Sequence, residues 1–316
     1  MAQMATIELF VILLIASTLV VLAARRVRLP YTLALLLLGL ALGMTGATPP
    51  VQLTSRVILL LFLPPLLFEA AFALDLRLLW AQRRGVLALA LPGVLLAAGV
   101  GGALIHWTAA LPWGLALLFG VMVAATDPVS VLATFRQLGV DPRLAVLVEG
   151  ESLFNDGVSL ALFGALAAAV AGAEAFSPGG LAFDFLWGMV GGAIIGAVIG
   201  YLGVWLIRLV DEDLTEMAVS TAIAYGAFLA AEELHVSGVI AVLAAGMVLS
   251  LAGRARGLSP ASARRLDDLW EFLAFVANAA LFLLMGLIVS ATGLLENPSY
   301  VCWGIVAALA GRAAVA

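Results

Sequence analysis

The fold is decided by residues 146–171, which read VLVEGESLFNDGVSLALFGALAAAVA. About twenty apolar residues in a helix cover the roughly 30 Å of a bilayer core, and this run is long enough to do so. Asp156 lies about ten residues, or roughly 15 Å, from the near end of the run, close to the bilayer midplane. Charged groups at that depth are rare and usually face a cavity or one another. The segment therefore predicts a transmembrane helix with a functional carboxylate.

The rest of the chain has the same apolar character. Of its 316 residues, 64% are hydrophobic and 11% are charged, whereas a soluble domain carries about a quarter of its residues as charged side chains. We therefore predict an all-α polytopic membrane protein. Its single cysteine and two histidines offer no disulfide or zinc site. Its scattered arginines form no nucleic-acid footprint, so we expect neither a cofactor nor a nucleic-acid partner.

Eleven segments are long and apolar enough to cross a membrane. They lie at approximately 5–24, 31–47, 54–73, 85–106, 113–136, 146–171, 183–208, 214–232, 236–252, 267–291 and 298–316. With the N-terminus outside, thirteen of the fifteen basic residues, all of them arginine, fall in inner loops and only Arg56 falls in an outer loop. We therefore predict a multi-pass protein of the cell membrane with its N-terminus outside. The last segment is still apolar at Ala316, which predicts that the natural chain continues.

A second polar motif interrupts the fifth segment near its middle, where Thr126, Asp127 and Pro128 follow one another. Pro128 has no N–H and its ring clashes with the carbonyl four residues earlier, so the motif predicts a kinked or broken helix. Irregular backbone at membrane depth is tolerated only where protein or a water-filled cavity satisfies it. The residues alone indicate Asp127 as an N-cap of the broken helix, and they leave room for an ion site beside it.

Helical spacing places the polar groups of residues 146–171 on two different faces of the helix. Ser152 and Asp156 are four apart and share a helix face, as do Glu151 and Asn155. Arg312, in the last segment, would need a carboxylate partner if it is buried, and Glu151 is the candidate.

Three other polar features have more ordinary interpretations. Glu69, in the third segment, is either part of the site or a flanking residue whose carboxylate reaches the interface. Asn278 is interpreted as an interhelical hydrogen bond. The acidic cluster of residues 211–216 is interpreted as solvated loop, with cation attraction at the inner mouth as the alternative.

At these residues the sequence resembles the monovalent cation:proton antiporters of the sodium/proton exchanger type, in their NhaP-like prokaryotic branch. The matching stretches are ATDPV at 125–129, GESLFNDGV at 150–158, the region 275–286 with Asn278, and GRA at 311–313. The resemblance implies an inverted-repeat fold of thirteen helices, with broken helices that cross at the midplane. About eleven of the thirteen are present, and two more are expected after Ala316.

The resemblance also implies how the transporter is divided. One integral membrane domain would cover residues 1–316 and form a homodimer. Its scaffold or dimerisation helices would lie at about 1–84 and 214–291, its core helices at about 85–171 and 298–316, and a linker helix at about 183–208.

The same resemblance implies roles for individual residues. Four groups would bind the transported Na⁺ and the proton: Asp156, Ser152, the Thr126 backbone carbonyl and Glu69. Three residues would support this site: Asp127, which steadies the crossing of the broken helices, Asn155 beside it, and Pro128. Glu151 and Arg312 would form a structural ion pair.

The expected activity is secondary transport rather than enzymatic catalysis, with Na⁺, or else Li⁺ or K⁺, exchanged for H⁺ by alternating access. A carboxylate, a hydroxyl and freed carbonyls supply the oxygen ligands that a hard cation prefers. If Asp156 holds either a proton or a cation, their competition couples the two fluxes. Because Asn155 stands where a second aspartate would add another titrating group, we expect an electroneutral exchange.

Two other activities could use comparable residues. An intramembrane aspartyl protease would employ Asp127 and Asp156, although the Tyr-Asp and Gly-x-Gly-Asp strings that such enzymes resemble do not surround them. A cation-coupled solute symporter would share the broken-helix design. Both stay as alternatives to the antiporter.

Overall fold

The computed structural model describes residues 20, 30–44, 55–126, 128–172, 178–210, 212–256, 258–291 and 298–315. Within these residues every regular element is helical, as lipid requires, because a helix satisfies its own backbone polar groups. The helices are α1 (Tyr31–Met44), α2 (Ser55–Ala73), α3 (Leu76–Ala109), α4 (Trp113–Ala124), α5 (Val129–Leu138), α6 (Pro142–Val170), α7 (Pro178–Ile207), α8 (Asp213–Glu233), α9 (Gly238–Gly253), α10 (Pro260–Ala291) and α11 (Pro298–Val315). A single further turn, Arg254–Arg256, follows α9.

The predicted all-α architecture is confirmed, and ten of the eleven predicted segments coincide with helices. Among the described residues, six helices are long and apolar enough to cross a membrane, namely α3, α6, α7, α8, α10 and α11. Helices α1, α2, α4 and α9 are apolar but shorter. The first predicted segment, 5–24, lies outside the described residues except at Val20. The count of eleven spans stays a prediction.

Four helices begin four or more residues before their predicted apolar segments, and α3 and α10 do so by the widest margins. Asp75 caps α3, because its Oδ1 accepts hydrogen bonds from the backbone N–H groups of Arg77 (2.9 Å) and Leu78 (3.1 Å). The arginines at 77, 83 and 84 therefore lie on a helix, where the sequence placed an inner loop. Helix α10 likewise begins at Pro260, several residues before the apolar run at 267. Apolarity marks where a helix could enter lipid, whereas a cap or an N1 proline marks where it starts.

The chain divides into two compact units. The first comprises Met1–Leu66 and Asp268–Pro298. Its core joins side chains of α1, α2 and α10: Leu35, Phe62, Ala277, Leu283 and Leu284. The rings of Tyr31 and Phe275 lie 5.5 Å apart, and Asn278 Nδ2 donates to the Tyr31 hydroxyl at 3.5 Å. Asn278 thus makes an interhelical hydrogen bond, as predicted.

The second unit comprises Leu67–Asp267 and Ser299–Ala316, and it contains every predicted site residue. One part of its core lies where α3, α4 and α6 meet, and includes Val94, Ala98, Val121, Val158 and Leu162. A smaller cluster of Ile105, Ala116 and Ala307 joins α3, α4 and α11. Helices α7, α8 and α9 pack together beside α6. The predicted division into scaffold, core and linker helices concerns movement and stays a prediction.

Candidate ion-binding site

The site is built around an interruption between two consecutive helices, α4 and α5. Helix α4 ends at Ala124 and α5 begins at Val129. Ala125 between them is extended, at φ −64° and ψ 136°. The predicted break at Pro128 is confirmed. The carbonyls in the last turn of α4 consequently lack partners within their own helix. Asp127 lies outside the described residues, so its supporting role stays a prediction.

Helix α6 supplies hydrogen-bond donors to two carbonyls at the break, that of Ala124 at the end of α4 and that of Thr126 just after it. The Ser152 hydroxyl donates to the Thr126 carbonyl at 2.5 Å, and Asn155 Nδ2 donates to the Ala124 carbonyl at 3.1 Å. Both side chains are buried, with 4% and 1% of their surface exposed. An unsatisfied polar group in such surroundings is strongly unfavourable. The intact helix therefore stabilises the irregular backbone of the broken one.

Glu151 and Arg312 form a two-pronged ion pair. Arg312 Nη1 lies 2.9 Å from Glu151 Oε1, and Nη2 lies 3.2 Å from Oε2. The carboxylate side chain is 3% exposed, but the arginine side chain is 46% exposed. The carboxylate is therefore the buried partner, and its charge is balanced by a guanidinium at the edge of the unit. Asn155 Nδ2 is also 3.5 Å from Glu151 Oε1, which connects the pair to the helix break.

Asp156 and Glu69 are the two carboxylates predicted to hold the cation. Asp156 is the central residue of the 29-residue helix α6, and Glu69 lies one turn before the end of α2. Both are half-buried and are engaged by neighbouring groups. Both belong to the second unit, together with Ser152 and Thr126. That they bind one cation jointly stays a prediction.

The oxygens at the break have capacity left for a cation. A carbonyl oxygen has two lone pairs, and a hydroxyl that donates its hydrogen keeps two acceptor positions. The Thr126 carbonyl and the Ser152 hydroxyl can therefore bond to each other and still offer lone pairs to an ion. Asp156 lies on the same helix face as Ser152, one turn later, and adds a negative charge. This set of oxygens suits a hard, weakly held cation.

Ser159 is a supporting residue that the sequence reasoning missed. Its hydroxyl donates to Asn155 Oδ1 at 2.9 Å, and the side chain is 4% exposed. Because the carbonyl end of the amide accepts this bond, the NH₂ end must face Ala124. The spacing of four residues from Asn155 was the available signal.

The interpretation of residues 211–216 as solvated loop is wrong at Glu216. This residue lies in the first turn of α8 and is 5% exposed. Asp213, in the same turn, forms an ion pair with Arg265 and accepts a hydrogen bond from the Ser262 hydroxyl at 3.3 Å. Helix α8 starts at Asp213, whose half-exposed carboxylate contacts the first turns of α10, whereas Glu212 stays exposed.

Comparison with known proteins identifies similar chains and a similar fold. The family described as "Sodium/hydrogen exchanger, transmembrane" matches residues 10–316. The chain is 40% identical to the Na⁺/H⁺ antiporter ApNhaP of Aphanothece halophytica over 287 residues, which are 90% of this chain and 55% of that protein. It is 34% identical to the Na⁺/H⁺ antiporter NhaH of Halobacillus aidingensis over 315 residues, 96% of this chain and 78% of that protein. The chain thus spans about half the length of the first relative.

A solved structure has the same fold. The sodium proton antiporter MjNhaP1 from Methanocaldococcus jannaschii, determined at pH 8, matches with a TM-score of 0.73 and 21% identity. The match covers 100% of this chain and 85% of that one. The prediction of an antiporter-type helical fold is thereby confirmed.

Proposed function

We propose that this chain, which belongs to the sodium/hydrogen exchanger family, exchanges Na⁺ for H⁺ across a membrane by secondary transport. The relatives named above are Na⁺/H⁺ antiporters, and six of the described helices are long and apolar enough to cross a membrane. Such a protein is a transporter rather than an enzyme. Na⁺ and H⁺ are its substrates, and the chemistry requires no cofactor.

The observation that carries the proposal is the 2.5 Å hydrogen bond from Ser152 to the Thr126 carbonyl. It joins the helix that bears Asp156 to unwound backbone whose oxygens have lone pairs available. Irregular backbone at membrane depth is tolerated where it is buried in protein or lines a water-filled cavity. A cation that enters such a cavity would find these oxygens as ligands. We assign Asp156, Ser152, the Thr126 carbonyl and Glu69 as the cation ligands, with Asp127, Asn155 and Pro128 as support.

Exchange follows from competition for one carboxylate. A proton on Asp156 removes the charge that attracts Na⁺, and a bound Na⁺ disfavours protonation. If the loaded forms reorient and the empty charged form does not, each Na⁺ crosses in exchange for a proton. Asn155 carries no second titrating group, so the exchange is electroneutral. Scaffold helices within a homodimer would hold still while the core helices move.

The two alternatives receive no support. A protease would have to act through Asp127 and Asp156, and neither named relative is a protease. Neither named relative is a symporter of an organic solute, since both are Na⁺/H⁺ antiporters. We further propose the cell membrane as the location, with the N-terminus outside, because arginine is concentrated in alternate loops.

The test uses the purified chain in liposomes with an acidic interior and a pH-sensitive dye. Addition of Na⁺ should dissipate the pH gradient without any organic solute. Asp156→Asn should abolish this response, since an amide binds neither the proton nor the cation as a carboxylate does. Asp184→Asn, a change of an exposed acid at the start of α7, is the matched control. A full response in Asp156→Asn would refute the proposed site.

The same liposomes test the stoichiometry. With potassium and valinomycin, the membrane potential can be set while the Na⁺ and proton gradients stay fixed. An electroneutral exchanger should give the same rate at every potential. A rate that reversed with potential would contradict one-for-one exchange.

A further inference from the structure

The last turn of α2 is held in place by residues spaced along one side of α9 and the turn that follows it. Gly246, Ser250 and Arg254 are four residues apart. A Cβ on Gly246 would lie 2.9 Å from the Ala71 Cβ and 3.2 Å from the Phe68 carbonyl, so α9 reaches the α2 backbone only because this residue is glycine. Close packing thus begins just beside Glu69.

Ser250 satisfies a carbonyl at the end of α2. Its hydroxyl donates to the Phe72 carbonyl at 2.8 Å, and its residue surface is 6% exposed. The last carbonyls of a helix have no partners of their own. The hydrogen bond therefore fixes the end of α2 to α9.

Arg254 contacts the same turn of α2 through the Phe72 ring. Its guanidinium carbon lies 4.5 Å from the centre of the Phe72 ring, and its Nη2 lies 2.5 Å from Asp267 Oδ1. A guanidinium in this position is attracted by the ring face and by the carboxylate at once. The side chains of Arg254 and Asp267 are 37% and 39% exposed, whereas Phe72 is 1% exposed.

A π-helical turn directs Arg254 to this position. Residues Leu249–Gly253 are wound as a π-helix, which places one additional residue in the turn and changes the direction of every later side chain. Such turns occur frequently at functional sites. In α9 the turn contains Ser250 and immediately precedes Arg254, the two residues that contact Phe72.

We propose that Arg254 is a positioning residue for the cation site, because it fixes the Glu69 carboxylate through Phe72. Glu69 and Phe72 are three residues apart on α2, so a rotation of the last turn moves both side chains together. Pro64 and Pro65 lack the N–H groups that would bond carbonyls of the preceding turn, so the end of α2 that carries Glu69 and Phe72 is less firmly attached to the rest of its helix and depends more on outside contacts. The inference depends on the proposed function, with Glu69 as a ligand.

The experiment compares variants in liposomes by two quantities, the half-saturating Na⁺ concentration and the maximal rate. Arg254→Gln should raise the half-saturating Na⁺ concentration about threefold to tenfold, the loss expected from one partly exposed ion pair and one cation–π contact. The maximal rate should change by less than about twofold, because the folded site persists. Arg264→Gln, which removes the same charge from an exposed position on α10, should change neither quantity.

Two further variants distinguish positioning from general damage. Asp267→Asn should raise the half-saturating Na⁺ concentration in the same direction but by less, because Arg254 keeps its contact with the Phe72 ring. The double variant should add little to Arg254→Gln, because both changes break the same ion pair. Ser250→Ala should raise the half-saturating Na⁺ concentration independently, and it carries the test if Arg254→Gln fails to fold. Unchanged Na⁺ affinity in folded Arg254→Gln and Asp267→Asn would overturn the proposal.

Glu69→Gln separates this inference from the proposed function. An unaltered chain without Na⁺-driven proton movement would refute the proposed function itself. If the unaltered chain is active but Glu69→Gln keeps its Na⁺ affinity, both the assignment of Glu69 and the role of Arg254 fail. If Glu69→Gln loses affinity and the Arg254 variant does not, only the role of Arg254 is refuted.

Discussion

Asn155 is placed so that each end of its amide meets a complementary partner. The NH₂ end donates to the Ala124 carbonyl at 3.1 Å, and the carbonyl end accepts from Ser159 at 2.9 Å. A carboxylate at the same position could accept from Ser159 but could not donate to Ala124. It would also bring a second negative charge near Glu151, whose Oε1 lies 3.5 Å from Asn155 Nδ2.

We therefore expect Asn155→Asp to lower the free energy of unfolding at pH 8 by about 1–3 kcal/mol, the range for an unpaired buried acceptor. The loss should shrink at pH 5, because a protonated carboxyl regains a donor for Ala124. Thermal unfolding in detergent at the two pH values measures both effects. Asn278→Asp is the control, since the Tyr31 hydroxyl can donate to a carboxylate. Full stability of Asn155→Asp at pH 8 would contradict the assignment.

The ion pair of Glu151 and Arg312 allows a second prediction for single residues. Arg312→Ala would leave a carboxylate whose side chain is 3% exposed without its countercharge. We expect the free energy of unfolding to fall by about 3 kcal/mol, the lower end for a broken buried pair, because Arg312 is half exposed. The double variant with Glu151→Gln should be more stable than Arg312→Ala alone.

A surface pair in the same unit supplies the comparison for Arg312. Arg265 and Asp213 have side chains that are 51% and 41% exposed, so Arg265→Ala should lower the free energy of unfolding by less than about 1 kcal/mol. Urea or thermal unfolding in detergent ranks the variants. Equal losses in Arg312→Ala and Arg265→Ala would show that burial of Glu151 has no energetic weight.

At the scale of helices, α7 and α9 lie unusually close together. A Cβ on Gly196 would lie 2.0 Å from the Ala241 carbonyl oxygen, and one on Gly192 would lie 2.5 Å from the Ser237 carbonyl oxygen. The glycines are four apart on α7, as their contacts are on α9, so one row of small residues faces one row of backbone. Close approach of this kind is how helices gain packing energy in lipid, where no hydrophobic effect drives them together.

Gly196→Ala should therefore separate α7 from α9 and lower the free energy of unfolding by about 3 kcal/mol, because backbone atoms cannot move aside as a side chain can. Gly226→Ala on α8 is the matched control, since a Cβ there meets nothing within 4 Å. Alanine in an open helical position should raise stability by up to about 1 kcal/mol. Thermal unfolding in detergent measures the loss of stability in Gly196→Ala and the gain in Gly226→Ala. A stabilised Gly196→Ala would refute the close packing.

At the scale of the whole molecule, the arginine pattern and α6 together predict an orientation. Helix α6 is 29 residues long, or roughly 43 Å, which exceeds the thickness of a bilayer core. Leu138, before its start, and Ala171, after its end, should then lie on opposite sides of the membrane. With the N-terminus outside, α6 begins on the inner side.

Single-cysteine labelling tests this orientation. In a Cys302→Ser background, which removes the one native cysteine, Ala171→Cys should react with a membrane-impermeant maleimide in right-side-out vesicles. Leu138→Cys, at a site that is 73% exposed, should react only after the vesicles are opened. The reverse result would place the N-terminus inside.

Much of the fold was predictable because its signals are local. The length of an apolar run and the missing N–H of Pro128 act within a few residues, so the helices and the break near Thr126 follow from them. The starts of α3 and α10 were placed too late because polar helical turns resemble loops in composition. The burial of Glu216 depends on which helix lies opposite, and composition does not record that. Ser159, by contrast, bonds to Asn155 within its own helix, where the spacing of four residues marks it.

The sequence by itself determined that the chain is a set of lipid-soluble helices, that one of them breaks, and that Asp156 lies deep in another. Only the tertiary structure decided which donors meet the broken backbone, that Arg312 reaches Glu151, and that Arg254 contacts Phe72. The physical reason is the separation along the chain over which each interaction acts. Hydropathy and proline geometry act along the chain, whereas hydrogen bonds and ion pairs between distant residues depend on how helices are rotated and shifted against each other.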